Sequence, residues 1–89
     1  MSELRFAPDA FSDIPKSETE RLLIKITWLW DNRKTILHHP LRYELSGLYK
    51  YRVSKYRIIY DYDENPDNMT IRLVGTRDTI YKDAIRKLS

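Results

Sequence analysis

Cysteine is absent from the 89-residue chain, glycine occurs only twice, and no apolar run is long enough to cross a bilayer. Without cysteine there is neither a disulfide framework nor a thiolate metal site, which suits a reducing compartment. With only Gly47 and Gly75, no glycine-rich phosphate loop can be built, so P-loop and dinucleotide sites are excluded. The apolar runs are short and broken by charge, and Met1-Ser2-Glu3-Leu4-Arg5 does not have the shape of a signal peptide. A soluble cytoplasmic protein that does not enter a membrane is the simplest expectation. Repeats, linkers and low-complexity segments are also missing, so residues 1–89 read as a single domain.

A chain this short hides roughly two-thirds of its unfolded surface on folding, so its large apolar side chains are all needed for one core. The 42% hydrophobic content suffices. A net charge of +3 favours nucleic acid over a basic partner, though weakly. Tyrosine is plentiful and concentrated between Tyr43 and Tyr62, beside lysines and arginines. Tyrosine suits a half-buried sheet first and base stacking second.

Leu4-Arg5-Phe6 predicts a short first strand, and Asp9 to Ile14 one or two helical turns before Pro15. Ser17-Glu18-Thr19-Glu20 fits a capping box. Behind it, Leu22, Leu23, Ile26, Leu29 and Trp30 recur at helical spacing, which predicts a helix over about Glu18 to Arg33. Ile24 and Trp28 lie off that stripe; they either pack under a neighbouring element or form part of a partner surface. His38-His39-Pro40 marks a connection. Adjacent side chains in an irregular segment rarely converge on one ion, so neither histidine is taken as functional and no metal or cofactor is expected.

From Leu48 the period changes to two, which puts Lys50 and Arg52 on one face and Tyr49, Tyr51 and Val53 on the other. Ser54-Lys55 then makes a hairpin break, and Tyr56 to Tyr62 is a strongly β-prone run. Asp63 to Asn68 is dense in turn formers, Met69 to Val74 gives another strand, and Asp78 to Leu88 forms a helix with Ile80, Tyr81, Ala84, Ile85 and Leu88 along one side. The expected fold is α+β: an N-terminal strand and a helix or helical hairpin packed on an antiparallel-rich four-stranded sheet, then a short C-terminal helix. The helices are expected against one sheet face.

The second half contains no Ser-His-Asp set and no paired catalytic carboxylates, but Lys50, Arg52, Arg57 and Arg77 fall on adjacent strands or at their ends. Cations brought together repel, so such a cluster makes most sense around an anion. The competing reading is a set of solvated strand-face cations that point apart.

Leu45-Ser46-Gly47, Tyr49-Lys50-Tyr51-Arg52, Tyr56-Arg57-Ile58-Ile59-Tyr60, Val74-Gly75-Thr76-Arg77 and Tyr81-Lys82 follow in order over most of residues 41–88. In this the chain resembles the RelE/ParE toxin superfamily, and within it the RelE branch. The resemblance implies the toxin of a type II toxin–antitoxin system, a metal-independent endoribonuclease that cuts translated message in the ribosomal A site. It implies Lys50 as general base and Arg57 as the phosphate and transition-state ligand. Arg77 falls on the leaving-group side, and Tyr81 stacks on a substrate base. Arg52 stands where the best-known relatives have lysine; arginine keeps the charge and improves bidentate phosphate contact but is the poorer base. Tyr81 also lies on the apolar stripe of the last helix, so burial is its rival role.

Attack of the RNA 2′-hydroxyl on phosphorus would leave a cyclic 2′,3′-phosphate and a 5′-hydroxyl, with charge growing on oxygens that positioned arginines can stabilise. A lysine can act as base only if its pKa falls from roughly 10.4 towards neutrality, a direction in which neighbouring cations act. A guanidinium, with pKa above about 12, is unsuited to proton donation, so leaving-group charge stabilisation is the preferred role for Arg77. The implied partners are the ribosome and mRNA and a small RelB-like antitoxin, with operator DNA reached only through the antitoxin. Two alternatives stand beside this reading: a ParE-like DNA gyrase poison without nuclease chemistry, and a non-catalytic nucleic-acid-binding module.

Overall fold

The computed structural model describes residues 2–88. The chain runs β1 (Glu3–Phe6), α1 (Lys16–Asp31), β2 (His39–Pro40), a 3-10 turn (Tyr43–Leu45), β3 (Tyr49–Val53), β4 (Tyr56–Asp63), β5 (Asn68–Thr76) and α2 (Ile80–Leu88). One sheet contains all the strands in the order β1-β5-β4-β3-β2. β1 lies parallel to β5 and the other neighbours are antiparallel. The α+β expectation therefore holds, with five strands where four were expected. The additional one is β2, whose two residues are too short to show any period in the sequence. No helix among the described residues is long and apolar enough to cross a membrane.

Residues 9–14 form turns, so a single helix precedes the sheet's main hairpins rather than a helical pair. α1 begins directly after Pro15, which sits in extended backbone at φ −60° and ψ 143°. Ser17 thus lies inside the first turn, and the expected capping box does not form; no side chain caps the helix start. Thr19 instead donates its hydroxyl to the Pro15 carbonyl at 3.2 Å. Leu22, Ile26 and Leu29 form the buried stripe of α1, packed with Ile58, Tyr60, Met69, Ile71 and Val74. Leu23, expected on that stripe, is exposed at its edge. The off-stripe pair separates: Trp28 stacks on Tyr51 of β3, with ring centroids 6.2 Å apart and planes 12° from parallel, whereas Ile24 stays exposed.

The sheet is buried on both faces at its centre. Ile58 and Tyr60 belong to the core under α1, while Ile59 between them joins Leu45, Leu73, Ile80 and Ala84 on the other side. A bulge sets the phase of β5: Ile59 pairs with Leu73 but Tyr60 pairs with Ile71, leaving Arg72 as the extra residue. Met69, Ile71 and Val74 consequently face α1 and Leu73 faces α2. The two helices cover opposite faces, which corrects the expectation that both lie on one. The cause is visible in Ile58-Ile59-Tyr60, an unbroken apolar run of the kind a strand needs when both faces are covered. Gly75 allows α2 to start close to the sheet, since a Cβ there would sit 2.9 Å from Ile80 Cδ1.

Asp67 ties three parts of the fold together from the β4–β5 turn, where its φ is +71°. Its carboxylate accepts from Arg33 Nε and Nη2 at 2.8 and 2.7 Å, from Ser2 Oγ at 2.7 Å and from the Tyr62 hydroxyl at 3.0 Å. The Arg33 hydrogen bonds, then that of Ser2, hold this carboxyl well below the usual carboxylate range. A depressed folded-state pKa contributes stability that is present above the unfolded value, roughly 3.9, and is lost as pH falls below it. Thermal melts of the parent should accordingly lose stability through that acid range. Asp67→Asn, which keeps a residue type tolerant of positive φ, should melt lower at pH 7 and show a shallower acid slope; equal slopes would count against this role.

Candidate functional site

The β3–β4 hairpin brings the cations together. On β3, Lys50 and Arg52 alternate with Tyr49, Tyr51 and Val53, and the hairpin turns at Ser54 with φ +54°. In register, Lys50 lies opposite Ile59 and Arg52 opposite Arg57. Directly opposed residues share a face, and Ile59 belongs to the core under α2, so all three cations lie on the α2 side. On the far flank of β3, His39 of β2 pairs with Lys50. His39, Lys50, Arg52 and Arg57 line one open hollow of about 270 Å³.

Like charges placed directly opposite one another destabilise a sheet, so the Arg52–Arg57 pair is not there for stability. Arg57 is aimed by the hairpin itself: its Nη1 donates to the carbonyls of Ser54 and Tyr56 at 2.9 and 2.8 Å. Among the described residues, Lys50, Arg52 and Arg57 form no ion pair with a carboxylate. Chemically the arrangement can receive an anion, with planar and point-charge donors on one wall. A larger hollow of about 330 Å³ is lined by Lys34, Tyr62 and Glu64. One lysine opposed by a glutamate does not make an anion site, so size alone does not locate the chemistry.

Two of the five sequence-derived residues stand outside that lining. Arg77 follows the end of β5, where its backbone N–H donates to the Lys55 carbonyl at 2.9 Å. Its side chain is largely exposed, with Nε 3.8 Å from an Asp78 carboxylate oxygen. Tyr81 lies in the first turn of α2, half-buried against the core that contains Ile80 and Ala84.

His39 is the lining residue that sequence reasoning did not select. The two adjacent histidines have different fates, His38 lying just before β2 and His39 opening it. His38 packs against Tyr49, Tyr60 and Tyr62. Its Nε2 donates to the Arg33 carbonyl at 2.7 Å, and its Nδ1 accepts from the Tyr60 hydroxyl. Burial, with Tyr49 and Tyr51 adding to it, pushes the Tyr60 phenol well above its ordinary value, so Tyr60 stays a donor. His39 is left on the cationic side. The signal for it was the extended Pro40 after it, a residue that fits an edge strand.

No protein-family model matches the sequence, and no curated protein does. Solved structures do. The RelBE2 toxin–antitoxin complex of Mycobacterium tuberculosis is similar at 26% identity and TM-score 0.62, covering 85% of this chain and 91% of that one. The isolated RelE toxin of E. coli gives 21% identity and TM-score 0.64, with both chains covered in full at 100%. A YafQ variant from E. coli gives 16% identity and TM-score 0.68, over 91% of this chain and 99% of that one. By its strand order, the helices on the two sheet faces and these superpositions, the chain has the RelE-type toxin fold and is placed with the RelE/ParE toxin superfamily.

Proposed function

We propose that this protein is the toxin of a type II toxin–antitoxin pair and that it cuts messenger RNA on the ribosome. The observation that carries the reading is the meeting of Lys50, Arg52 and Arg57 in one hollow on a RelE-type fold, with no carboxylate ion-paired to them among the described residues. The hollow suits a scissile phosphate: Arg57 and Arg52 offer planar forks to the non-bridging oxygens and Lys50 adds a third charge. As the 2′-oxygen attacks phosphorus, charge builds on those oxygens and fixed guanidinium groups stabilise it. In the scheme implied by the resemblance, Lys50 takes the 2′-hydroxyl proton. Arg77 stabilises charge on the departing 5′-oxygen and Tyr81 stacks on a base; both act from outside the hollow's lining.

Dependence on the ribosome follows from the shallowness of the site. An open hollow with few donors grips flexible RNA poorly, and alignment by an outside scaffold can be worth roughly 7–11 kcal/mol in favourable systems. The expected partner is a small antitoxin that covers or neutralises the basic face, as antitoxins accompany toxins in the complexes the fold resembles. DNA is contacted only through that antitoxin, and the site of action is the cytoplasm.

The test is to map 5′ ends of a translated message after induction, beside a Lys50→Ala/Arg57→Ala control, and to assay purified protein on naked and ribosome-bound RNA. Cuts within the reading frame that vanish in the control, with much faster cleavage on ribosomes, are expected. Equal rates on the two substrates would contradict the ribosome requirement. Cleaved DNA accumulating with gyrase, without RNA cuts, would establish the gyrase-poison alternative.

A further inference from the structure

We propose that Tyr43 is a specificity-determining residue, a platform on which a message base stacks beside the scissile phosphate and which favours a purine there; this rests on the ribonuclease reading of the hollow. Tyr43 opens the 3-10 turn Tyr43–Leu45 in the loop that joins β2 to β3. That loop leaves the sheet one pair beyond His39 and Lys50, where Pro40 lies opposite Tyr49 and the Leu41 N–H donates to the Leu48 carbonyl at 2.9 Å. Leu45 then folds onto the α2 side of the sheet and is buried with Ile59, the residue opposite Lys50. The turn is thereby pinned beside Lys50 on the cationic side. Along the chain Tyr43 is so close to His39 that their Cα atoms are at most roughly 14 Å apart.

Two features of Tyr43 serve no purpose within the fold. Its φ is +57°, in the left-handed region where a Cβ crowds the following carbonyl oxygen. Ser54 and Asp67 share a positive φ, and each has an evident reason: Ser54 turns the β3–β4 hairpin, and Asp67 gathers Arg33, Ser2 and Tyr62. A bulky aromatic is a rarer occupant of that region than an aspartate. The Tyr43 side chain is also 84% exposed, more than any other large apolar side chain among the described residues. Its ring meets no other aromatic ring there. The backbone is strained and the ring gains no burial in return; strain of this kind collects where a ligand is held.

The charge beside the turn decides what the ring meets. Lys50, Arg52 and Arg57 line the hollow and draw a polyanion. An aromatic face next to a cationic groove is the pairing that holds single-stranded nucleic acid, with phosphates on the cations and bases on the rings. Tyr81, the stacking residue implied by the resemblance, is half-buried against the core of Ile80 and Ala84. Tyr43 offers the more accessible ring. Stacking meets the flat face of a base and reads none of its edges, so any selection it makes follows stacking strength. The larger ring system of a purine is favoured on that ground.

Single-turnover cleavage at sub-saturating toxin tests the assignment on ribosome-bound messages that carry either purines or pyrimidines at the positions flanking the cut. The proteins are the parent, Tyr43→Trp, Tyr43→Leu and Tyr43→Gly. One stacked base is worth about 5- to 150-fold, so Tyr43→Leu and Tyr43→Gly should slow by a factor in that range on the purine message and lose the preference for it. Tyr43→Trp should keep both rate and preference. Tyr43→Gly should melt at or above the parent, because glycine takes a positive φ without strain, which separates its slower cleavage from a folding defect. A message with 8-azidoadenosine beside the cut, irradiated on the ribosome with the parent, should cross-link to Tyr43. The assignment is overturned if Tyr43→Leu and Tyr43→Gly stay within twofold of the parent on both messages, or slow equally on both. It is overturned too if Tyr43→Gly melts lower, which would make the ring a structural element, or if the message probe does not cross-link to Tyr43. A parent that cuts no RNA on ribosomes would instead overturn the ribonuclease reading beneath it.

Discussion

Replacing Arg57 with alanine should lower single-turnover cleavage of ribosome-bound message by about 10²–10³-fold, the loss typical of removing one preorganised donor to developing charge. Arg57 is the best oriented of the three cations, because Ser54 and Tyr56 carbonyls already fix its Nη1 and leave the rest of the fork for an oxygen anion. Arg57→Lys should lie between parent and alanine, since an ammonium keeps the charge and loses the fork. The stability of Arg57→Ala should move the other way. Like charges directly opposite across two strands destabilise a sheet, so the variant's melting temperature should match or exceed that of the parent. Activity and stability measured on the same preparation thus separate a functional cation from a structural one. A variant that melts lower and cuts normally would return Arg57 to the role of a hairpin staple.

Much of this arrangement was legible in the residues. The two-residue period of β3 placed Lys50 and Arg52 on one side of the sheet, and the short hairpin break put Arg57 on the adjacent strand; that it lies directly opposite Arg52 is a finding of the structure. Helical spacing in α1 gave its buried stripe, apart from Leu23 at the edge. What escaped was whatever depends on three-dimensional accounting. The bulge at Arg72 reverses the facing of β5, and one inserted residue leaves no mark in composition. Ile59 and Leu73 put α2 on the face away from α1, so the expectation that both helices share one face failed. β2 is too short for any periodic signal, and with it went the recognition of His39 as a neighbour of Lys50. The capping box failed for a different reason: Pro15 set the helix start before Ser17 could serve as cap.

Ile59→Ala tests the support beneath the cations. Ile59 is fully buried, pairs with Lys50 on one side and Leu73 on the other, and belongs to the small core formed with Leu45, Ile80 and Ala84. Truncating such a side chain to alanine costs about 2–5 kcal/mol, a large part of the roughly 5–15 kcal/mol that holds a domain folded. In a domain of this size each 1 kcal/mol moves the midpoint by about 4–8 °C, so the melting temperature should fall by about 10 °C or more. Ile59→Val, which removes one methylene, should cost only about 0.5–1.5 kcal/mol. The alanine effect should be steep because this core has few members and α2 is held to the sheet through them; little remains to close over a cavity. Lys50 sits on the same face as Ile59, so a partially loosened floor should also slow cleavage at temperatures where the variant is still folded. A loss under about 1 kcal/mol would mean that α2 lends little support to the sheet face under the cations, and the hollow would then owe its shape to the β3–β4 hairpin alone.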